Sequence, residues 1–218
     1  MHLLQTLMRR LLPLAAVLMA SLPLPAAAQS GAVEEGNQFL RLKNPQPVES
    51  GKKIEVIEFF SYGCPHCGDL EPVLQGWFKT MPADVQFRRI PVMYQDRWVP
   101  LAKIYYTLDA LGEEARLSPE VFTAVHARGL SLWQDKTFFD WAASHGLDRK
   151  KVEDMYNSFA IGGKVNRARA AAQTYQIQSV PMVVVDGKFV TNRVGSHAAM
   201  PAVISALIAK ARAERPKS

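Results

Sequence analysis

The chain holds two cysteines, and both lie in one tetrapeptide, Cys64-Pro65-His66-Cys67. Two thiols separated by two residues can form a short-loop disulfide, bind a soft metal or carry a c-type haem. A bridge closing so small a loop removes only about 2 kcal/mol of unfolded-state entropy, so a purely structural disulfide would staple little. Structural zinc sites usually take four Cys or His ligands, and no second Cys-X-X-Cys or His pair stands at ligand spacing. Haem attachment needs His after the second cysteine, where this chain has Gly68. Redox chemistry is the reading favoured over a structural disulfide, zinc or haem.

The elements around the pair favour it. Ile54 to Phe60 is an apolar run rich in β-branched and aromatic residues, the pattern of a central strand, and its Glu58 is therefore expected in an apolar setting. Leu70, Val73, Leu74, Trp77 and Phe78 recur at helical spacing as far as about Lys79, with Pro72 expected to kink the helix. The tetrapeptide is the turn between them. A helix N-terminus offers unpaired N–H groups and a partial positive charge to a thiolate on the first cysteine, and Pro65 suits the first helical position.

The rest of the chain supplies a scaffold. Its 218 residues, 48% hydrophobic, allow one large domain or two small ones with a buried core. The net charge of +6 becomes +4 without residues 1–28, which carry Arg9 and Arg10 and no acid. The basic residues are dispersed and no aromatic-interleaved basic stripe exists, which argues against nucleic-acid binding. Residues 1–28 read as a cleavable signal peptide: Arg9-Arg10, an apolar stretch from Leu11 to Leu24, and Ala26-Ala27-Ala28 before Gln29. The stretch is too short and too interrupted by Pro13, Pro23 and Pro25 to be a spanning helix. Ordinary secretion and twin-arginine export both stay open. Export would place the cysteines in an oxidising compartment.

Phe39 to Leu42 reads as an edge strand and Val85 to Val92 as a second strand after the first helix, making a parallel crossover. Helices are expected over 100–111, over 119–128 with Ser118 as N-cap, over 136–145 after Asp135 and over 149–159 after Asp148, with Trp133, Phe138, Phe139 and Trp141 in their core. A helix over 164–175, a strand over 180–185, a type I′ turn at Asp186-Gly187 leading to 188–191, and a helix over 198–213 complete the pattern.

Glu58 to Cys67 (Glu-Phe-Phe-Ser-Tyr-Gly-Cys-Pro-His-Cys), then Val180-Pro181, then Val185-Asp186-Gly187-Lys188-Phe189, resemble the DsbA family of periplasmic thiol oxidants. The resemblance covers nearly all of the mature chain and implies an α/β thioredoxin fold with an inserted all-helical domain. The thioredoxin-like part would comprise 29–96 and 164–218, and the helical insertion 97–163. It implies that Cys64 is the exposed nucleophile, Cys67 its buried partner and Pro181 a cis-proline facing them. Val180 would contact substrate backbone, with Glu58 the buried acid under the disulfide and Glu71 a second acid nearby. The lysine often placed near that acid corresponds to Arg88 or Arg89.

The implied activity is donation of the Cys64–Cys67 disulfide to reduced or unfolded exported proteins, with reoxidation by a DsbB-like quinone-linked membrane protein. The chain would act as a periplasmic monomer, with no metal or nucleotide cofactor. A disulfide isomerase or reductase is the alternative among enzymes; a thiol-based metal carrier or peptide-binding module is the alternative outside them. His66 and the helix N-terminus are expected to lower the Cys64 pKa. Cysteines so placed fall to roughly 3.5 to 7.5, the lowest being that of the DsbA family itself. A value of about 4 would stabilise the reduced form at pH 7 by ~4 kcal/mol, or ~90 mV.

Overall fold

A computed structural model describes residues 33–215; the expected signal peptide, 1–28, lies outside them. Strand β2 (Ile54–Phe60) is buried along its whole length, as an apolar run covered on both faces must be. It pairs in parallel with β3 (Val85–Pro91) and antiparallel with β4 (Met182–Val185). β5 (Phe189–Thr191) and the edge strand β1 (Phe39–Arg41) complete the order β1-β5-β4-β2-β3. The parallel pair requires a crossover, and α1 (Pro65–Phe78) provides it. Pro72 sits inside α1 without ending it. Asp186 and Gly187 have φ of 56° and 63°, the left-handed pair that a type I′ turn needs.

Side chains alternate across the sheet with period two. Val56, Val183 and Val185 meet α1 and α7 (Met200–Glu214) through Leu70, Leu74, Ile204 and Leu207. Ile57, Phe59 and Val184 face the opposite way, onto Ala168, Tyr175 and Ile177. Ala168 belongs to α6 (Phe159–Thr174), whose first half packs Ile161 and Val165 against Ala102 instead. This helix therefore crosses the expected border at 163/164. Among the described residues no helix is long and apolar enough to cross a membrane.

Between β3 and α6 stand α2 (Trp98–Ala110), α3 (Glu114–Phe122), α4 (Asp135–Ser144) and α5 (Arg149–Tyr156). Phe138, Phe139 and Trp141 are buried in their shared core, while Trp133 is only partly covered. That core continues without a break into Phe60, Tyr62, Cys64 and Cys67. α2 and α7 each start two residues from the expected position, and three further helix starts differ for a visible reason. α3 begins at Glu114, so Ser118 is no N-cap; its hydroxyl instead joins Tyr62 Oη (2.5 Å) and Glu114 Oε1 (2.9 Å). Gln134, not Asp135, caps α4, because the Asp135 carboxylate accepts from Tyr156 Oη at 2.7 Å. α6 starts at Phe159 under Ser158, the poor helix formers Gly162 and Gly163 having concealed its first turn. Asp148 caps α5 as expected, accepting from Lys151 N.

The β4–β5 turn is also pinned from outside. Gln46 N donates to Gly187 O at 2.8 Å, and a Cβ on Gly187 would run into the Gln46 carbonyl. Gly187→Ala therefore combines left-handed strain with a steric clash and should cost about 2 to 4 kcal/mol, read from the urea midpoint of unfolding. A loss below about 0.5 kcal/mol would contradict this packing.

Candidate active site

Cys64 is the N-cap of α1, with extended φ −98° and ψ 116°, and Pro65 occupies the first helical position. Its carbonyl accepts from Cys67 N (3.1 Å) and Gly68 N (3.2 Å), while its own N–H donates to Ser61 O (3.0 Å). Both cysteines are thiols in this structure. Cys67 is fully buried; Cys64 keeps 7% of its surface, so the expected exposed nucleophile is a largely covered one. Covering it is the loop of Val180 and Pro181, joined by a cis peptide bond, with Val180 O 3.4 Å from Cys64 Sγ.

The two sulfurs stand in different fields. The Cys67 thiol, donating to Cys64, is the largest cause that pulls Cys64 down to about 6; burial opposes it, and the backbone N–H groups of Cys67 and His66 assist. The charge of His66 is the smallest of these causes. Its side chain is 74% exposed, with Nδ1 3.7 Å from an Asp69 carboxylate oxygen and its ring 5.9 Å from that of His197. His66 and the helix N-terminus thus lower Cys64 in the expected direction, but the neighbouring Cys67 thiol leads them, because water screens the exposed imidazole charge. Cys67 is pushed far up by burial first, then by its bond to Cys64 and by the negative charge of Glu58.

Beneath the pair lies a guanidinium. The β2–β3 register sets Glu58 opposite Arg89, and Arg89 Nε donates to Glu58 Oε2 at 2.7 Å. Arg88 points to the other face and bonds Glu55. Arg89 also donates to Glu71 (2.5 Å) and to Glu114 (2.8 Å), and is itself 3% exposed. The setting of Glu58 is thus ionic, not merely apolar. Burial still raises its pKa, against the pull of Arg89 and with help from Glu71 and Glu114. Phe60, Phe78 and Phe87 rings surround the guanidinium at 5.6 to 5.8 Å.

Glu114, Ser118 and Tyr62 escaped the sequence reading. Glu114 opens α3 and stands 25 residues from Arg89, so spacing gives no hint of the contact. The chain Tyr62–Ser118–Glu114–Arg89 runs from the redox turn into the inserted helices and back under the sheet. Two hollows open beside Pro65. One, about 630 Å³, runs along α1 past Gly68, Pro72 and Phe122; the other, about 380 Å³, is walled by Gly63, Trp98, Leu101 and Trp133. Among the described residues no group of three or more His, Cys, Asp or Glu side chains is placed to hold a metal ion.

The family model described as the DSBA-like thioredoxin domain matches residues 55–199. The thiol:disulfide interchange protein DsbA of Burkholderia cepacia is 40% identical over 167 residues, which are 76% of this chain and 79% of that one. The protein of the same name from Bordetella parapertussis is 37% identical over 210 residues, 95% and 98% of the two chains. The crystal structure of Pseudomonas aeruginosa DsbA superposes with a TM-score of 0.79 at 36% identity, covering 83% of this chain and 95% of that one.

The Arg89 cluster makes a distinct prediction. Arg89→Leu leaves Glu58 and Glu71 buried without their cation and should cost about 3 to 5 kcal/mol near neutral pH. Without Arg89 the folded pKa of Glu58 lies further above its unfolded value, so the deficit shrinks as falling pH protonates the carboxyl and widens as pH rises. Urea unfolding of the oxidised variant near pH 5 and near pH 7.5 would test this; an equal loss at both contradicts it.

Proposed function

Because the chain belongs to the DSBA-like thioredoxin-domain family, we propose that its thiol:disulfide exchange runs as a dithiol oxidase on newly exported proteins. The observation that carries this reading is the unequal placing of the two thiols: Cys64 is the N-cap of α1 with Val180 O beside its sulfur, Cys67 is fully buried behind it, and the Cys64 pKa is lowered while that of Cys67 is raised. A substrate thiolate attacks Cys64 Sγ of the disulfide, the Cys64–Cys67 bond breaks, and Cys67 leaves with the electron pair and takes up a proton in its buried site. A second substrate thiolate then attacks the substrate sulfur of the mixed disulfide. Cys64 leaves as the stabilised thiolate. The substrate loses two electrons and gains a disulfide; the enzyme gains both electrons and, at neutral pH, keeps one proton.

Cys64 is the better leaving group for the release step, and Cys67 the better final holder of the proton. A Cys64 pKa of about 6 stabilises the reduced form at pH 7 by only ~1.4 kcal/mol, about 30 mV and a third of the gain expected from a pKa near 4. Glu58 sits in the field of Cys67, where Arg89 limits how far its own pKa rises. Val180 and Pro181, beside Cys64, would receive an extended substrate segment through backbone contacts.

The periplasm is the proposed site of action, supported by the signal-like pattern of residues 1–28 and by the need for an oxidising compartment. A DsbB-like quinone-linked membrane protein would take the two electrons from the reduced pair, and the enzyme would act as a monomer without metal or nucleotide.

Oxidised wild-type protein should convert a reduced two-cysteine peptide to its disulfide in equal amount. Cys67→Ser, mixed with an excess of a disulfide-containing peptide, should form a mixed disulfide through Cys64 with release of one peptide thiolate, since Cys67 is no longer there to expel the bound peptide. Cys64→Ser should form none. Mass spectrometry of the products decides; peptide left reduced by the wild-type protein, or a mixed disulfide through Cys67, would refute this reading.

A further inference from the structure

We propose that His126, supplied by the inserted helices, is a positioning residue for Cys64: it fixes the peptide unit between Tyr62 and Gly63 that leads into the nucleophile. This rests on the redox reading above. The Tyr62 carbonyl and the Gly63 N–H belong to one peptide plane, and each end is tied. His126 Nε2 lies 2.8 Å from Tyr62 O. A carbonyl only accepts, so Nε2 carries the proton whatever the charge of the ring. At the other end Gly63 N donates to Ser61 Oγ at 3.1 Å, and the following N–H, that of Cys64, donates to Ser61 O at 3.0 Å.

This plane needs holding. Gly63 is the residue about which a turn can reorient at least cost, and nothing larger fits, because a Cβ there would run into the indole of Trp98. The fold therefore places its most pliable residue directly before the reacting sulfur. If the plane turned over, both of its hydrogen bonds would break, and the turn that sets the N-cap geometry of Cys64 would be released.

His126 reaches this point through a local irregularity. After Phe122 the helix widens into a single π turn, Thr123–Ala127, closed by Arg128 N on Thr123 O at 3.0 Å. Such turns redirect side chains and recur at functional sites. The imidazole stacks on Phe122 with centroids 6.2 Å apart and planes 20° apart, and its Cδ2 edge lies against Gly68, where an added Cβ would sit 3.4 Å away. His126 is nevertheless exposed, and it borders both hollows beside Pro65. A core-packing role does not account for an exposed side chain. A hydrogen bond to the redox turn does.

The test compares His126→Phe, which keeps the ring and its stacking but removes the donor, with His126→Gln, which restores an N–H. Thiolate absorbance of the reduced proteins gives the Cys64 pKa, peptide oxidation gives the rate, and the urea midpoint of the oxidised proteins reports folding. His126→Phe should raise the Cys64 pKa by about half to one pH unit and slow peptide oxidation about three- to tenfold, with little change in midpoint. His126→Gln should recover most of both. A wild-type pKa and rate in His126→Phe, a loss of stability alone, or a His126→Gln no better than His126→Phe would overturn the proposal. Failure of the wild-type protein to oxidise the peptide would instead sink the redox reading, while the thiolate titration would still decide the part played by His126.

Discussion

The Arg89 guanidinium binds together the parts of this protein that its backbone connects only distantly. It draws one carboxylate from the central strand (Glu58), one from the helix that starts at the redox pair (Glu71) and one from the inserted helices (Glu114). A buried cation is costly to desolvate and becomes tolerable only when anionic acceptors surround it. Each of the three nitrogens of Arg89 donates to a different carboxylate, so the sheet, α1 and α3 can each be displaced only by uncovering the cation. The rigidity of the site follows from this constraint. The gain is specificity of arrangement more than net stability, since four apolar residues of equal volume could pack as firmly.

Chemistry is built on top of that cluster by unequal burial. Cys64 and Cys67 are separated by one helical turn, yet one is an N-cap with N–H groups around it and the other is enclosed by Phe60, Tyr62 and the core of the inserted helices. The Cys67 thiol beside Cys64 at once favours a Cys64 thiolate and is itself opposed in ionising. A negative Glu58 beneath reinforces the second effect. The pair therefore holds one proton and one negative charge when reduced near neutral pH, a state that an ordinary dithiol reaches only at higher pH.

What could be read from the sequence was what is local. The strand before the pair, the helix after it, the I′ turn at Asp186-Gly187 and the identity of Cys64 and Cys67 all depend on residues close in the chain. The cis bond at Pro181 was expected from family resemblance alone, since base rates favour trans. Missed features are those in which a distant group takes over a local one's usual task. Ser118 looks like an N-cap, but Tyr62, 56 residues away, claims its hydroxyl. Arg88 and Arg89 are equivalent in sequence, and only the strand register sends one under the disulfide and the other to Glu55. His66 does lower the Cys64 pKa, but its adjacency in the chain says nothing of solvent screening, and the exposed imidazole charge counts for less than the Cys67 thiol.

The most direct measurement is the reduction potential of the Cys64/Cys67 pair as a function of pH. Below the Cys64 pKa of about 6, reduction takes up two protons with two electrons and the potential should fall by ~59 mV per pH unit. Above it, only Cys67 is protonated on reduction, and the slope should halve to ~30 mV per pH unit. A break near pH 6 is the result expected of two unequal thiols. An unbroken slope of ~59 mV per unit up to the ordinary cysteine pKa of about 8.5 would contradict it, because both thiols would then hold their protons as free cysteines do.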